Sequence, residues 1–292
     1  MTATAETTAE AREHPEPERR EGRERGGGVL RAAGTSLSLL GVLVLGFVAY
    51  LFGLSSVQHA RDQKILYADF RYELAQGTAP VGPTTPGRAV AVLEIPRLGL
   101  KEVVVEGTAS RQLALGPGHR RDTPLPGQPG ISVLYGRSGT FGGPFGDVAR
   151  LRGGDVITVA TGQGLASYRV NSAGTPLTVP AANASTLLLV TADSGLTPGG
   201  EAAVSATLTS PVVPGNSTRP VIGVEEVGLR GDTGGVVPLI LWAEALLLAV
   251  GATTWAYQRW TPWPTYVTST PVLLAIVWNI YESLARLLPN TL

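Results

Sequence analysis

An uninterrupted apolar run near the amino end is the feature that most restricts the fold of this chain. Residues 35–57 contain no charged side chain, and about twenty apolar residues are what a helix needs to cross the hydrocarbon layer of a membrane. The run is longer than the apolar core of a typical cleaved signal peptide, and no clear A-x-A cleavage site follows it. We therefore predict a transmembrane helix over residues 35–57, retained as a signal anchor.

Two further apolar stretches lie near the carboxyl end. Residues 236–257 and 265–288 are each long enough to form a transmembrane helix. The short link between them contains Arg259 and tryptophans, which favour the membrane interface. These features predict a helical hairpin that enters the membrane.

The segment before the first apolar run is polar and has no apolar periodicity. Residues 1–34 are rich in Glu, Arg, Thr and Ala, a composition typical of disorder. Their arginines place the N-terminus in the cytoplasm by the positive-inside rule. The region between the apolar runs is therefore predicted to be extracytoplasmic, in a protein of the cell membrane.

Two carboxylates interrupt the carboxyl-terminal apolar stretches. A charged group in the hydrocarbon layer is costly, so such a residue either has a function or must be neutralised. Glu282 lies near the end of its stretch, where its side chain can reach water. For Glu244, which has apolar residues on both sides, protonation or pairing with a partner helix competes with a functional role.

Residues 58–88 and 212–235 connect the apolar helices to the middle of the chain. Over residues 62–76, apolar positions recur at three- and four-residue spacings, which predicts an amphipathic juxtamembrane helix. Proline and glycine over residues 77–87 then predict a linker. Residues 212–235 are predicted as a second linker.

Short runs of Val, Leu and Ile separated by Gly/Pro turns fill residues 89–211, in a chain that holds 37 Gly and 22 Pro. This pattern is typical of β-strands joined by turns, and one short helix is expected over residues 145–151. The predicted strands cover residues 91–95, 101–106, 131–135, 155–160, 166–171, 186–192 and 202–208. Seven or eight strands in about 120 residues predict a mainly β fold with a closed or nearly closed barrel.

Composition excludes several kinds of chemistry. The chain has no cysteine, which rules out disulfides, cysteine-ligated metals and thiolate catalysis. The formal net charge is zero, and no sustained basic face suits nucleic acid. The acidic residues of the middle region are scattered, so no metal site is predicted, and no cofactor is expected.

Three ordered segments of the middle region carry a resemblance to a known family. They read AVLEIPRLGLKEVVVEG at 91–107, LALGPGHRRDTPLPGQPG at 113–130 and VLYGRSGTFGGPFGDVARLRGGDVITV at 133–159. In this order they resemble the catalytic domain of the sortases, membrane-anchored cysteine transpeptidases of Gram-positive bacteria, and most closely class E. The resemblance covers residues 89–211 and implies a sortase-like closed β-barrel of seven or eight strands, flanked here by transmembrane helices.

The positions that carry catalysis in that family hold other residues here. Where the resemblance places a histidine that acts as general acid or base, this sequence has Arg137. Where it places the nucleophilic cysteine, at the end of the strand STLLLVTA, the sequence has Ala192. The strand EAAVSATLTS corresponds to the one that bears an oxyanion-stabilising arginine, and it contains none. We therefore expect a degenerate site with no catalytic residue.

Neighbouring polar groups are candidates for peptide binding. A guanidinium cannot act as a general base, but Arg137 can bind a carboxylate with two parallel hydrogen bonds, and a salt bridge to Asp193 is an equally good interpretation. Ser194 has no base placed to activate it, and His119 falls in the G-P-G-H segment, where we interpret it as a loop residue. The peptide-binding candidates are Arg137, Asp193, Ser194, Thr191 and His119.

The resemblance leaves three interpretations of function. In the first, the protein is a catalytically inactive sortase-like pseudoenzyme that binds or scaffolds a cell-surface peptide or protein, with a cell-wall or surface protein segment or another sortase as its partner. In the second, it is an atypical transpeptidase or hydrolase with a non-cysteine nucleophile such as Ser194. In the third, the barrel is a structural spacer. The membrane is a partner in all three.

Overall fold

The structure is a computed structural model, and a barrel of eight strands lies at its centre. It describes residues 21–173, 185–192, 200–215, 219–223, 226, 231–259 and 262–291. The strands are β1 (Ala89–Ile95), β2 (Leu100–Glu106), β3 (Gly118–His119), β4 (Ile131–Tyr135), β5 (Val156–Thr161), β6 (Gly164–Ala173), β7 (Thr186–Ala192) and β8 (Glu201–Leu208). They close in the order β1-β2-β3-β4-β7-β8-β6-β5. The predicted closed β-barrel is confirmed.

Two of the strand pairs are parallel and the others are antiparallel. Strand β2 pairs in parallel with β3, and β4 pairs in parallel with β7. The sequence prediction missed β3, because a strand of two residues has no periodicity to detect. The expected helix at 145–151 is a single 3₁₀ turn, Val148–Arg150, because Gly153 and Gly154 follow it closely. An unpredicted short helix, α3, spans Ser110–Leu115.

Alternate residues of the strands fill the barrel and line its outside. Leu134, Leu187 and Leu189 are fully buried in the main core, and burying each such side chain contributes about 2 kcal/mol. The residues between them point outward, because successive side chains of a strand alternate in direction. A second apolar cluster lies on that outer face, and it consists of Leu113, Val133, Tyr135, Val190 and Ala203, with Leu188 packed against it.

The first helical region is longer than the sequence predicted. Helix α1 spans Glu21–Ala49, a π-helical turn spans Tyr50–Leu54, and helix α2 spans Ser55–Gln76. The part of the predicted disordered tail after Glu21 is therefore helical, whereas residues 1–20 lie outside the described residues. Glu, Arg and Ala are strong helix formers, so the helical backbone begins before the apolar run that hydropathy detects.

Helix α2 packs against the barrel. Phe70 is fully buried in a cluster with Ala89, Val92 and Val103. The side chain of Gln63 accepts a hydrogen bond from Val103 N (2.7 Å) and donates one to Val103 O (3.1 Å). Within β2, only Val105 and Glu106 pair with strand β3. Gln63 therefore satisfies the backbone of β2 at Val103, where β3 does not reach.

The carboxyl-terminal apolar stretches form two packed helices. Helix α4 spans Val236–Arg259 and helix α5 spans Pro262–Leu287. Among the described residues, two helical segments are long and apolar enough to cross a membrane, Gly34–Gln76 and Thr233–Arg259. The sequence also predicts a transmembrane helix over residues 265–288. Helix α5 covers most of this range but does not meet that criterion. Its Glu282 accepts a hydrogen bond from Arg286 at 2.6 Å, and Glu244 is exposed on α4.

Candidate functional site

Strands β4 and β7 bring Arg137 and Ala192 to the same edge of the barrel. They pair in parallel from Ile131 with Thr186 to Tyr135 with Val190, and Gly136 N donates to Val190 O at 3.0 Å. Since the carboxyl ends of parallel strands meet at one edge, Arg137 follows β4 beside the end of β7, where Ala192 lies.

The last two residues of β7, Thr191 and Ala192, are both buried. Ala192 is buried and opposes Glu201 of β8. By the alternation along the strand, it faces the same side as Val190, on the outer face of the barrel. Thr191 faces the interior, and its Oγ1 has no hydrogen-bond partner among the described residues. Asp193 and Ser194 lie outside the described residues.

Arg137 is enclosed, with 1% of its surface exposed. Its Nη1 donates to Thr140 Oγ1 (3.0 Å), and its Nη2 donates to the carbonyl oxygen and Oγ of Ser110 (3.1 and 2.8 Å). The guanidinium also lies 4.7 Å from the centre of the Phe141 ring, a distance typical of cation–π contacts. Burial lowers the pKa of Arg137 to about 10. The hypothesised partner Asp193 is outside the described residues.

The loop that follows Arg137 is tightly packed. Phe145 N donates to Arg137 O at 3.0 Å, and the Phe145 ring is fully buried. A Cβ at Gly136 would lie 2.4 Å from that ring, so only glycine fits there. The packing holds the backbone of Arg137 in place.

His119 lies apart from this arrangement. It is in β3 rather than in a loop, and its Nδ1 is 2.9 Å from Glu106 Oε2. Its Nε2 is 3.0 Å from Pro124 O, and both His119 and Glu106 are buried. The expectation that His119 is a loop residue is therefore wrong. The adjacent strand β2 pairs with β3 and also supplies Glu106, the buried carboxylate that contacts His119. The described contacts of His119 and Arg137 share no residue.

Sequence reasoning missed a polar group beside the outer apolar cluster. Arg120 forms an ion pair with Asp122 at 2.8 Å. Burial raises the pKa of Tyr135, and the charge of Glu201 raises it further, whereas Arg120 lowers it. Burial also raises the pKa of Glu201, again opposed by Arg120. Arg120 thus provides a cation near the end of β4. It directly follows the G-P-G-H segment, for which the sequence predicts only a loop.

The segment after α5 also reaches the site. Asn290 and Thr291 are both 0% exposed. Asn290 Nδ2 donates to Thr108 O at 3.2 Å, and Ser138 N donates to Thr291 O at 2.9 Å. The chain's own tail therefore contacts the residue next to Arg137. No periodicity or motif in the sequence signals this contact, because it arises from tertiary packing.

Comparison with known proteins agrees with this architecture. Residues 93–197 match the family model of the sortase domain. Sortase SrtE1 of Streptomyces coelicolor is 31% identical over 172 residues, which are 56% of this chain and 48% of that protein. Sortase D of Bacillus subtilis is 32% identical over 96 residues, which are 33% of this chain and 46% of that protein. The chain spans about half the length of these curated relatives.

Solved structures similar to the chain are also sortases. A sortase D5 transpeptidase of Clostridium perfringens has 20% identity and a TM-score of 0.44, covering 51% of this chain and 99% of that one. Sortase E of Streptomyces avermitilis has 30% identity and a TM-score of 0.38, covering 44% and 91%.

The matched region is thus a β-barrel domain of the sortase class, as its motifs predicted. This domain belongs to the sortase family, and its full chain contains no cysteine.

Proposed function

We propose that this protein is a non-catalytic, membrane-anchored member of the sortase family that binds or scaffolds a cell-surface peptide or protein outside the cytoplasm. The observation that carries the proposal is the state of Arg137. Its guanidinium is buried and bonded to Ser110 and Thr140, so the position has acquired a structural role rather than a new catalytic group.

The residues themselves support the proposal that the protein lacks transpeptidase chemistry. A chain without cysteine has no thiolate to form a thioester. Arg137 keeps its proton at physiological pH, because even its lowered pKa is about 10, and it therefore cannot accept one as a general base. Ala192 has no functional group at all.

Two features support peptide binding at the ends of β4 and β7. The outer face carries a buried cluster of apolar side chains from β4, β7 and β8, and the partly exposed Arg120 and Glu201 lie beside it as charged groups. In addition, Ser138 N donates to the carbonyl oxygen of Thr291, so this backbone already receives a peptide segment from the chain itself. Of the other peptide-binding candidates, Asp193 and Ser194 lie outside the described residues, whereas Thr191, Arg137 and His119 are buried.

Site-specific crosslinking in living cells tests the binding proposal. A photoreactive residue at Arg120 is expected to capture a defined surface-protein segment or a second sortase, identified by mass spectrometry of the crosslinked peptide. The same residue at the exposed position Arg152, on the turn before β5, is the matched control. Capture at neither position, or equal capture at both, would contradict the proposal.

Anchoring and orientation are supported by the two apolar helical segments and by the arginines before the first of them. Because the natural chain has no cysteine, single cysteines report topology without background. On intact cells, a membrane-impermeant maleimide is expected to label Arg152→Cys, whereas Thr7→Cys is expected to react only after permeabilisation. The reverse pattern would invert the proposed orientation.

A further inference from the structure

A cavity of about 130 Å³ lies among helices α2, α3 and α5, next to Arg137. One water needs roughly 10–15 Å³, and an engineered cavity of about 150 Å³ holds benzene, so this cavity has room for a small polyatomic ligand. Its polar lining residues are Gln58, Asp62, Ser110, Arg111, Arg137, Glu282 and Arg286.

Arg137 gives this cavity a buried positive charge. No ion pair to Arg137 exists among the described residues. Its Nε–H is buried and has no acceptor among those residues. A buried charge without a counter-ion and a buried donor without an acceptor both cost free energy. A bound anion would balance the charge of Arg137 and would accept the hydrogen bond of its Nε–H.

Another lining residue of the cavity offers an unsatisfied acceptor. Gln58 Oε1 is buried and has no donor among the described residues. The Glu282 carboxylate, by contrast, is already held by Arg286 at 2.6 Å. Three guanidiniums and two carboxylates line the cavity, and 3 − 2 leaves a net charge of +1 on its walls. The cavity therefore suits a ligand that carries negative charge and also has one hydrogen to donate.

We propose that this cavity binds a hydroxyl-bearing oxyanion of the phosphate class. One oxygen accepts the hydrogen bond of Arg137 Nε–H, and the hydroxyl donates to Gln58 Oε1. A simple carboxylate satisfies the first group and leaves the second unsatisfied, whereas hydrogen phosphate satisfies both. Free phosphate and a glycerophosphate lipid headgroup share this chemistry, and α2 continues the helix of the apolar run, which brings a lipid source near in sequence.

Ligand discrimination in the full-length protein tests the assignment. In detergent, inorganic phosphate is expected to raise the unfolding midpoint in a saturable manner, since a ligand that binds only the folded state stabilises it. Sulfate, which is similar in size but has no hydroxyl at neutral pH, is expected to raise it less. Gln58→Met is expected to remove the difference between phosphate and sulfate.

Charge variants separate site binding from the general stabilisation that both salts give. Arg111→Gln, on the exposed rim of the cavity, is expected to weaken phosphate binding several-fold while the protein still folds. Arg152→Gln, which lies outside the cavity lining, is expected to bind like the natural chain. Equal responses of both variants and the natural chain would show that the effect of phosphate does not come from this cavity, which would overturn the proposal.

Nanodiscs identify the source of the ligand. If phosphatidylglycerol discs remove the response to inorganic phosphate and phosphatidylcholine discs do not, the occupant is a lipid headgroup. If the response persists equally in both, it is free phosphate. Equal binding of phosphate and sulfate in the natural chain would refute the assigned hydroxyl. The proposal is independent of peptide binding, because crosslinking at Arg120 does not report on this cavity.

Discussion

Arg137 Nη2 lies 2.8 Å from Ser110 Oγ and 3.1 Å from Ser110 O, so one guanidinium nitrogen holds both groups of the first residue of α3. With the bond from Nη1 to Thr140, it connects α3 to the loop after β4. Arg137 thus acts as a buried cross-link. A histidine ring at this position has only two nitrogens and cannot replace these three bonds.

Replacing this cross-link is expected to destabilise the fold. Arg137→Met keeps much of the volume and removes the desolvated charge, but it leaves the buried acceptors on Ser110 unsatisfied. Hydrogen bonds from a charged donor contribute about 1.5–3 kcal/mol each, so we expect the loss to exceed the gain and to leave a net cost of about 1–3 kcal/mol. Thermal unfolding of the full chain in detergent measures it, with Arg152→Met as control. An unchanged midpoint would show that Arg137 contributes no net stability.

A serine-reactive probe addresses the enzymatic alternative directly. We expect no labelling of the full-length protein by a fluorophosphonate, because activation of a serine needs a free base nitrogen and both ring nitrogens of the described histidines, His59 and His119, already have partners. In the described structure, His119 is bonded to Glu106 and Pro124, and His59 is bonded to Glu102. Labelling that Ser194→Ala abolishes would establish a serine nucleophile and refute the non-catalytic proposal.

Much of the barrel could be predicted from the sequence, because each long strand carries a local signal. The apolar runs of β4 and β7 were assigned with the bounds that the structure shows. The same local reasoning could not detect β3, nor the packing of α2, because Gln63 recognises the backbone of Val103 through tertiary contact alone.

The site was predicted only in part for the same reason. Family motifs identified Arg137 and Ala192 as the positions of interest, and the pairing of β4 with β7 in the structure brings them to one edge of the barrel. They gave no indication that Arg137 bonds to α3, that Arg120 lies near Tyr135, or that Thr291 contacts Ser138. Each of these contacts joins segments that are distant in sequence or lie in irregular loops.

Truncation after Leu288 is expected to expose the backbone beside Arg137. In the intact protein, Ser138 N donates to Thr291 O at 2.9 Å, so its amide should be protected from hydrogen exchange. Without the tail, we expect the Ser138 amide to exchange faster. The amide of Gly136, which donates to Val190 O at 3.0 Å, should keep its protection and serves as an internal control. Unaltered exchange at Ser138 would mean that the tail does not occupy this position in solution.

The Glu106–His119 contact is expected to be strongly coupled. Both side chains are about 2% exposed or less, and the two atoms lie 2.9 Å apart. Removing either partner leaves the other buried without it, so Glu106→Gln and His119→Gln should each cost about 1–3 kcal/mol or more. The double variant should cost less than the sum of the two. Additive effects in thermal unfolding would show that the contact carries no specific energy.

Tyr168 is expected to make the protein sensitive to high pH. Its buried hydroxyl accepts a hydrogen bond from Gly127 N at 2.6 Å, and burial raises its pKa from 10.0 to about 12. Between these values the unfolded chain loses the phenolic proton while the folded chain keeps it, so the unfolded state binds fewer protons and stability falls as pH rises. A difference of two pKa units corresponds to about 2–3 kcal/mol.

Tyr168→Phe removes this titration but also removes the acceptor for Gly127 N. The variant is therefore expected to be less stable than the natural chain at pH 8, by about 1–3 kcal/mol. From pH 10 to 12 the disadvantage should shrink, because only the natural chain loses the contribution of Tyr168 over that range. Arg137 titrates in the same range in both proteins, so its effect cancels in the comparison. Thermal unfolding of the pair across this range checks the prediction, and a constant difference would show that Tyr168 ionises equally easily in the folded and unfolded states.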